Sequence, residues 1–108
     1  MTTYKQGEVW LAKVYFRNVG EYKNRPIVIV GTELAIDIDV LSAPVTSTAP
    51  RSEYDVIIEY WKEAGLLNAS VARTTKLTAI PNSDFIKKIG YLHEHDLNRI
   101  LNQCRKLF

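Results

Sequence analysis

Apolar and polar residues alternate along much of the first half of this chain. Across residues 9–16, Trp10, Ala12, Val14 and Phe16 share one face at a spacing of two, and Lys13 and Tyr15 take the other. That is the period of a half-buried β-strand. Residues 18–24 read as a loop, with Gly20 and two asparagines as turn formers. Pro26 cannot donate a ladder hydrogen bond, so it is expected at the start of the next strand, Ile27-Val28-Ile29-Val30, which Gly31 ends. Ile36, Ile38 and Val40 alternate with Asp37, Asp39 and Leu41. They predict a third strand with two acids outward, stopping near Thr46-Ser47. Tyr54, Val56, Ile58 and Tyr60 alternate with Asp55, Ile57 and Glu59 and predict a fourth.

The second half mixes periods. Residues 61–64, closed by Gly65, read as a single helical turn, and residues 70–77 as a fifth, β-branched strand. Asn82-Ser83-Asp84 is placed to cap a short helix through Lys88, with Gly90 separating it from the last element. That last element is the clearest helix: Leu97, Ile100, Leu101, Cys104 and Phe108 form one apolar stripe. Asn98, Arg99, Asn102, Arg105 and Lys106 take its other side. Glu94 and Asp96 near its start and Arg105 and Lys106 near its end match the helix dipole. Mostly consecutive strands with helices inserted late predict a mainly β, α+β fold. The shape expected is a small twisted sheet or partly open barrel with a helix packed on it. At 108 residues a single domain over 1–108 is expected, with a core modest enough that dimerisation would help its stability.

No stretch approaches the ~20 apolar residues of a membrane span. Met1-Thr2-Thr3-Tyr4-Lys5 lacks the apolar core of a signal peptide, and the one cysteine, Cys104, has no internal partner. A reducing, cytoplasmic compartment is expected. The net charge of +2 does not announce a nucleic-acid binder, but its distribution says more. No acid lies between Glu63 and Asp84, where Arg73 and Lys76 sit, nor between Asp39 and Glu53, where Arg51 sits. Lys13, Arg17, Lys23 and Arg25 face Glu21 alone. If folding gathers these segments, they make a local anion site on a nearly neutral protein. If it does not, each charge stands alone on a solvated face.

Two short polar stations adjoin apolar runs: Asn24-Arg25-Pro26 before Ile27, and Ala43-Pro44-Val45-Thr46-Ser47-Thr48 after Leu41. Pro26 restricts Arg25 to extended backbone. Its guanidinium is permanently charged, with a donor fork that matches phosphate oxygens. The plainer role is a surface arginine paired with Asp37 or Asp39. The hydroxyls of Thr46, Ser47 and Thr48 suit a phosphate or a substrate hydroxyl, or merely cap a strand end. In strand geometry Arg73 and Thr75 share one face, a second place for a guanidinium and a hydroxyl. His93-Glu94-His95 lacks the His-Glu-x-x-His spacing and reads as a solvated helix terminus, so no metal or other cofactor is expected. Cys104 lies on the apolar stripe and reads as core.

With these residues in view, the chain resembles the MazF/PemK toxins of bacterial type II toxin–antitoxin systems over nearly its whole length. Gly7-Glu8-Val9-Trp10 resembles the family's opening strand, Asn24-Arg25-Pro26-Ile27-Val28-Ile29-Val30 its Arg-Pro strand, and Ala43-Pro44-Val45-Thr46-Ser47 its third-strand ending. Glu63-Ala64-Gly65-Leu66, Ser70-Val71-Ala72-Arg73-Thr74-Thr75-Lys76-Leu77 and Lys88-Ile89-Gly90-Tyr91-Leu92 follow in the family's order. The resemblance implies an SH3-like β-barrel with short inserted helices and a C-terminal helix, usually a homodimer. It implies a metal-independent endoribonuclease acting on single-stranded RNA, neutralised by an antitoxin whose acidic, partly disordered tail covers the RNA groove. Arg25 and Thr46 correspond to the catalytic arginine and threonine, and Lys23, Ser47, Arg73 and Thr75 are expected along the RNA path. Where some members carry an aspartate this chain has Thr75, so no general base carries over. The loop before Arg25 is also shorter than in the best-known members. Two other roles share this fold: a CcdB-like gyrase poison acting through its C-terminal tip, here Leu107-Phe108, and a non-catalytic binding barrel.

Overall fold

The computed structural model describes residues 3–32 and 36–108. Seven antiparallel strands are described: β1 (Glu8–Phe16), β2 (Glu21–Ile29), β3 (Asp39–Thr46), β4 (Asp55–Ile58), β5 (Ser70–Arg73), β6 (Thr78–Pro81) and β7 (Phe85–Tyr91). One helix, α1 (Glu94–Arg105), follows. The strands run in the order β4-β5-β3-β2-β1-β7, with β6 also paired to β3. This is the mainly β, barrel-like fold expected, left open because β4 and β7 do not pair among the described residues.

The middle strands are covered on both sides. Val9 and Val28 face a core shared with Ile58, Ile100 and Cys104, while Trp10, Ile27 and Ile29 face a second core with Val40 and Ile80. That explains why residues 27–30 are apolar without alternation: neither face of β2 meets water there.

Several elements differ from the sequence reading. The expected loop over residues 18–24 is a turn of residues 17–20, closed by the Gly20 N–H on the Phe16 carbonyl at 2.9 Å. β2 therefore begins at Glu21, and Pro26 sits inside it opposite Leu11. The proline is tolerated because β3 pairs β2 only from Ile27 onward, leaving that edge free at Pro26. The third strand starts at Asp39, with Asp37 and Asp39 exposed as expected but Ile38 70% exposed outside it. Residues 33–35, in front of it, lie outside the described residues.

The fourth strand stops at Ile58, because the Asp96 carboxylate takes the Glu59 and Tyr60 N–H groups at 3.0 and 2.9 Å. The turn after it closes as expected, Gly65 taking φ +88°. Gly65 N–H donates to the Lys62 carbonyl and Leu66 N–H to the Trp61 carbonyl, the paired bonds of a Schellman ending.

The fifth strand ends at Arg73. Thr74 is buried, and both its N–H and its hydroxyl reach the Tyr54 carbonyl, turning residues 74–76 into one 3-10 turn. Sequence reading missed β6. The helix expected through Lys88 is instead a 3-10 turn, Asn82–Asp84, followed by strand β7 on β1. α1 matches expectation in place and stripe, with Ile100 and Cys104 buried. Phe108 does not complete that stripe. The helix ends at Arg105, the next residues turn more tightly, and Phe108 is 92% exposed.

Candidate active site

The site forms where β3 changes partners. Against β2 its register runs Ser42 to Ile29, Ala43 to Val28 and Pro44 to Ile27, and there the ladder stops. Beyond it Val45 and Thr46 pair with Ala72 and Val71 of β5. Two residues past the last pair, where the strands have already parted, stand Arg25 on β2 and Thr46 on β3. Pro44 has no N–H to leave unpaired where they part.

The parting strands open a groove of about 1590 Å³. Arg25, Thr46, Ser47, Arg73 and Thr75 all line it, although they come from three separate stretches of chain. Lys23 is not among its lining residues; its ammonium stands 5.7 Å from the Phe16 ring centre. The segments that lean basic in sequence are gathered here. Lys13, Arg17, Arg25, Arg51, Arg73, Lys76 and Lys87 line the groove, against Asp84 as the one acid among the described lining residues. On a chain with a net charge of +2, this concentrates positive potential on one concave surface. Lys87 could not be seen in advance because its strand was read as helix.

Arg25 is exposed, with its guanidinium carbon 5.6 Å from the Phe16 ring centre. It forms no ion pair with Asp37, Asp39 or any other carboxylate among the described residues. The ring positions the cation without neutralising it. Thr46 does cap the strand end: its hydroxyl oxygen accepts the Thr48 N–H at 3.2 Å, and it bonds the Thr48 hydroxyl at 3.2 Å. A hydroxyl proton rotates freely, so Thr46 can turn it to a ligand oxygen at the expense of one exposed bond.

Arg73 differs from Arg25. Its side chain is 13% exposed and its Nη1 lies 3.3 Å from the buried Asp55 carboxylate, which also accepts the Arg51 N–H at 2.9 Å. Arg73 thus serves the groove as a fixed, partly neutralised charge. Thr75, in the 3-10 turn, no longer shares a strand face with it, though both border the groove.

The histidine stretch lies at the start of α1. His93 caps the helix by accepting the His95 N–H, its ring stacks on Tyr60, and the His95 ring meets the Glu59 carboxylate. Cys104 is buried in the core, and burial pushes its thiol pKa up against the opposing charge of Arg105. It is therefore a poor nucleophile. No described helix is long and apolar enough to cross a membrane.

Solved structures share this architecture. The Mycobacterium tuberculosis toxin MazF-mt6 superposes with a TM-score of 0.75 at 23% identity, covering 92% of this chain and 93% of its own. MazE-MazF from Deinococcus radiodurans gives 0.78 at 13% identity, covering 99% and 96%. An endoribonuclease in complex with its cognate antitoxin, from a mycobacterial species, gives 0.75 at 15%, covering 98% of both chains. At these identities the likeness is one of fold, and the fold is MazF-like. Residues 5–108 match the model of the PemK-like, MazF-like toxins of type II toxin-antitoxin systems, and the chain belongs to that family. No curated protein sequence matches it.

Proposed function

We propose that this chain is an endoribonuclease toxin that cuts single-stranded RNA at a phosphate held between Arg25 and Thr46. The observation that carries the proposal is an arginine with no carboxylate partner among the described residues, lining one cation-rich groove with the Thr46 hydroxyl. Family membership and the printed names of the structural neighbours, an endoribonuclease among them, support it.

RNA brings its own nucleophile. The 2′-oxygen attacks the adjacent phosphorus, the bond to the 5′-oxygen breaks, and a 2′,3′-cyclic phosphate and a 5′-hydroxyl result. The proton lost at the 2′-oxygen is balanced by the one gained at the leaving oxygen. The protein supplies placement and countercharge for the crowded phosphorane. Arg25 stays protonated and donates to the phosphate oxygens. Thr46 fixes the phosphate or the attacking hydroxyl. Arg73 and Ser47 extend the grip along the strand. Nothing in this division of roles calls on a metal ion.

A partner follows from the same charge. The groove suits an acidic, partly disordered antitoxin segment that orders on binding, and the active form is a homodimer. Purified protein incubated with a long single-stranded RNA in EDTA should release fragments with cyclic-phosphate and 5′-hydroxyl ends. RNA carrying 2′-O-methyl groups should survive. Phosphate on the 5′ ends, or loss of all cleavage in EDTA, would overturn the mechanism.

A second reading rests on one observation: Phe108, at the C-terminal tip, is 92% exposed and so open to the protein contact through which a gyrase poison of related fold would act. Gyrase-dependent DNA breakage that Phe108→Ala abolishes would favour it over RNA cleavage.

A further inference from the structure

The hairpin of β1 and β2 carries an aromatic pair that no core explains. Tyr15 and Tyr22 sit opposite each other, one pair from the turn, with ring centres 5.2 Å apart and planes at 60°. They are 52% and 62% exposed, whereas the other aromatic contacts of β1, among Tyr4, Trp10 and Phe85, belong to the second core. Two large rings held side by side in water beside a groove form a candidate contact surface.

The surroundings say what binds. Alternation puts Lys13 and Asn24 on the same face one pair inward, and Arg17 stands in the turn beyond. Both tyrosines and both cations line the basic groove. The neighbouring acid, Glu21, pairs with Phe16 on the opposite face. Flat rings bracketed by cations match a chain of flat bases joined by phosphates, and match an aliphatic protein surface less well.

We infer that Tyr15 and Tyr22 form a stacking site for one unpaired base of the RNA strand. The inference rests on the RNA reading above and deepens it. Arg25 lies three residues along β2 from Tyr22, about 10 Å at strand spacing, but on the other face of the hairpin. The strand must therefore pass over the free edge of β2, unpaired with β3 from Glu21 to Pro26. Crossing that edge splays the base next to the reacting phosphate out of its stack and delivers it to the tyrosines. A base held in a duplex cannot make that turn, so the pair also selects single strands.

The test is fluorescence anisotropy with an uncleavable, all-2′-deoxy oligonucleotide and a matched one in which every base is absent. Tyr15→Ala and Tyr22→Ala should each weaken binding of the base-bearing strand by on the order of tenfold. Tyr15→Phe and Tyr22→Phe should retain it, and the abasic strand should bind all variants equally. Undiminished binding by the folded alanine variants would overturn the inference, as would a wild type that binds no strand. So would a change of oligomeric state by light scattering, which would make the pair a contact between copies. RNA cleavage by the wild type, measured alongside, separates failure of the stacking site from failure of the nuclease reading.

Discussion

Arg25 and Arg73 show how one residue type takes two roles within one groove. Arg73 is tied to a buried carboxylate, so one nitrogen of its donor fork is committed. Arg25 rests on the Phe16 ring and keeps its full charge for a ligand. Arg25 was legible in sequence because a following proline and apolar run fix it on a strand. The Arg73–Asp55 pair was not, because it depends on the β4–β5 register that sets those residues opposite each other. Glu8 carries a separate prediction. Burial raises its carboxyl pKa, but bonds from the Trp10 indole, the Lys5 N–H, the Lys88 ammonium and the Tyr91 phenol outweigh that and lower it. Its stabilising contribution is therefore present above the ordinary carboxylate value of 4.5 and lost as pH falls through the lower folded value. Urea denaturation should show Glu8→Gln less stable than wild type at pH 7, with the difference shrinking in acid below about 4.5. An equal difference at pH 7 and pH 3 would contradict this.

Among elements, those set by a simple period were legible and those set by a neighbour were not. β1 and α1 follow their apolar repeats. β7 was read as a helix because Asn82-Ser83-Asp84 makes a persuasive cap and residues 85–89 do not alternate cleanly. Its pairing with β1 decides the outcome. Gly90 belongs inside that strand, since a Cβ there would come within 2.5 Å of the Ala64 carbonyl oxygen. Asp96 is the element-scale feature that sequence reading took only as a favourable charge near the helix start. It is fully buried and accepts two N–H groups from the end of β4, fastening the sheet to α1. Asp96→Ala removes those two charge-assisted bonds and a longer one from Arg99 at 3.4 Å, and should cost on the order of 3 kcal/mol. Asp96→Asn, which keeps one acceptor, should cost less. Thermal unfolding of both would check the ranking, and equal midpoints for Asp96→Ala and wild type would refute it.

At the scale of the whole molecule, the modest net charge conceals a strong division. Three basic segments scattered through the sequence converge because β3 leaves β2 for β5 and holds the groove open between them. Their basic lean was readable from the sequence, but their meeting was not. Binding of single-stranded RNA should accordingly weaken steeply with salt. If about four phosphates are neutralised, a plot of log affinity against log salt should slope near −3, and an affinity indifferent to salt would contradict a phosphate-tracking groove. The central claim is that Arg25 and Thr46 act on one phosphate. It is tested most directly by single-turnover cleavage of one RNA by wild type, Arg25→Ala, Thr46→Ala and the double variant, with far-UV circular dichroism confirming the fold. Arg25→Ala should lose about 10²–10³ in rate, and the double variant should lose much less than the product of the single losses, as residues acting as a unit do. Full cleavage by folded Arg25→Ala, or losses that simply multiply, would contradict it.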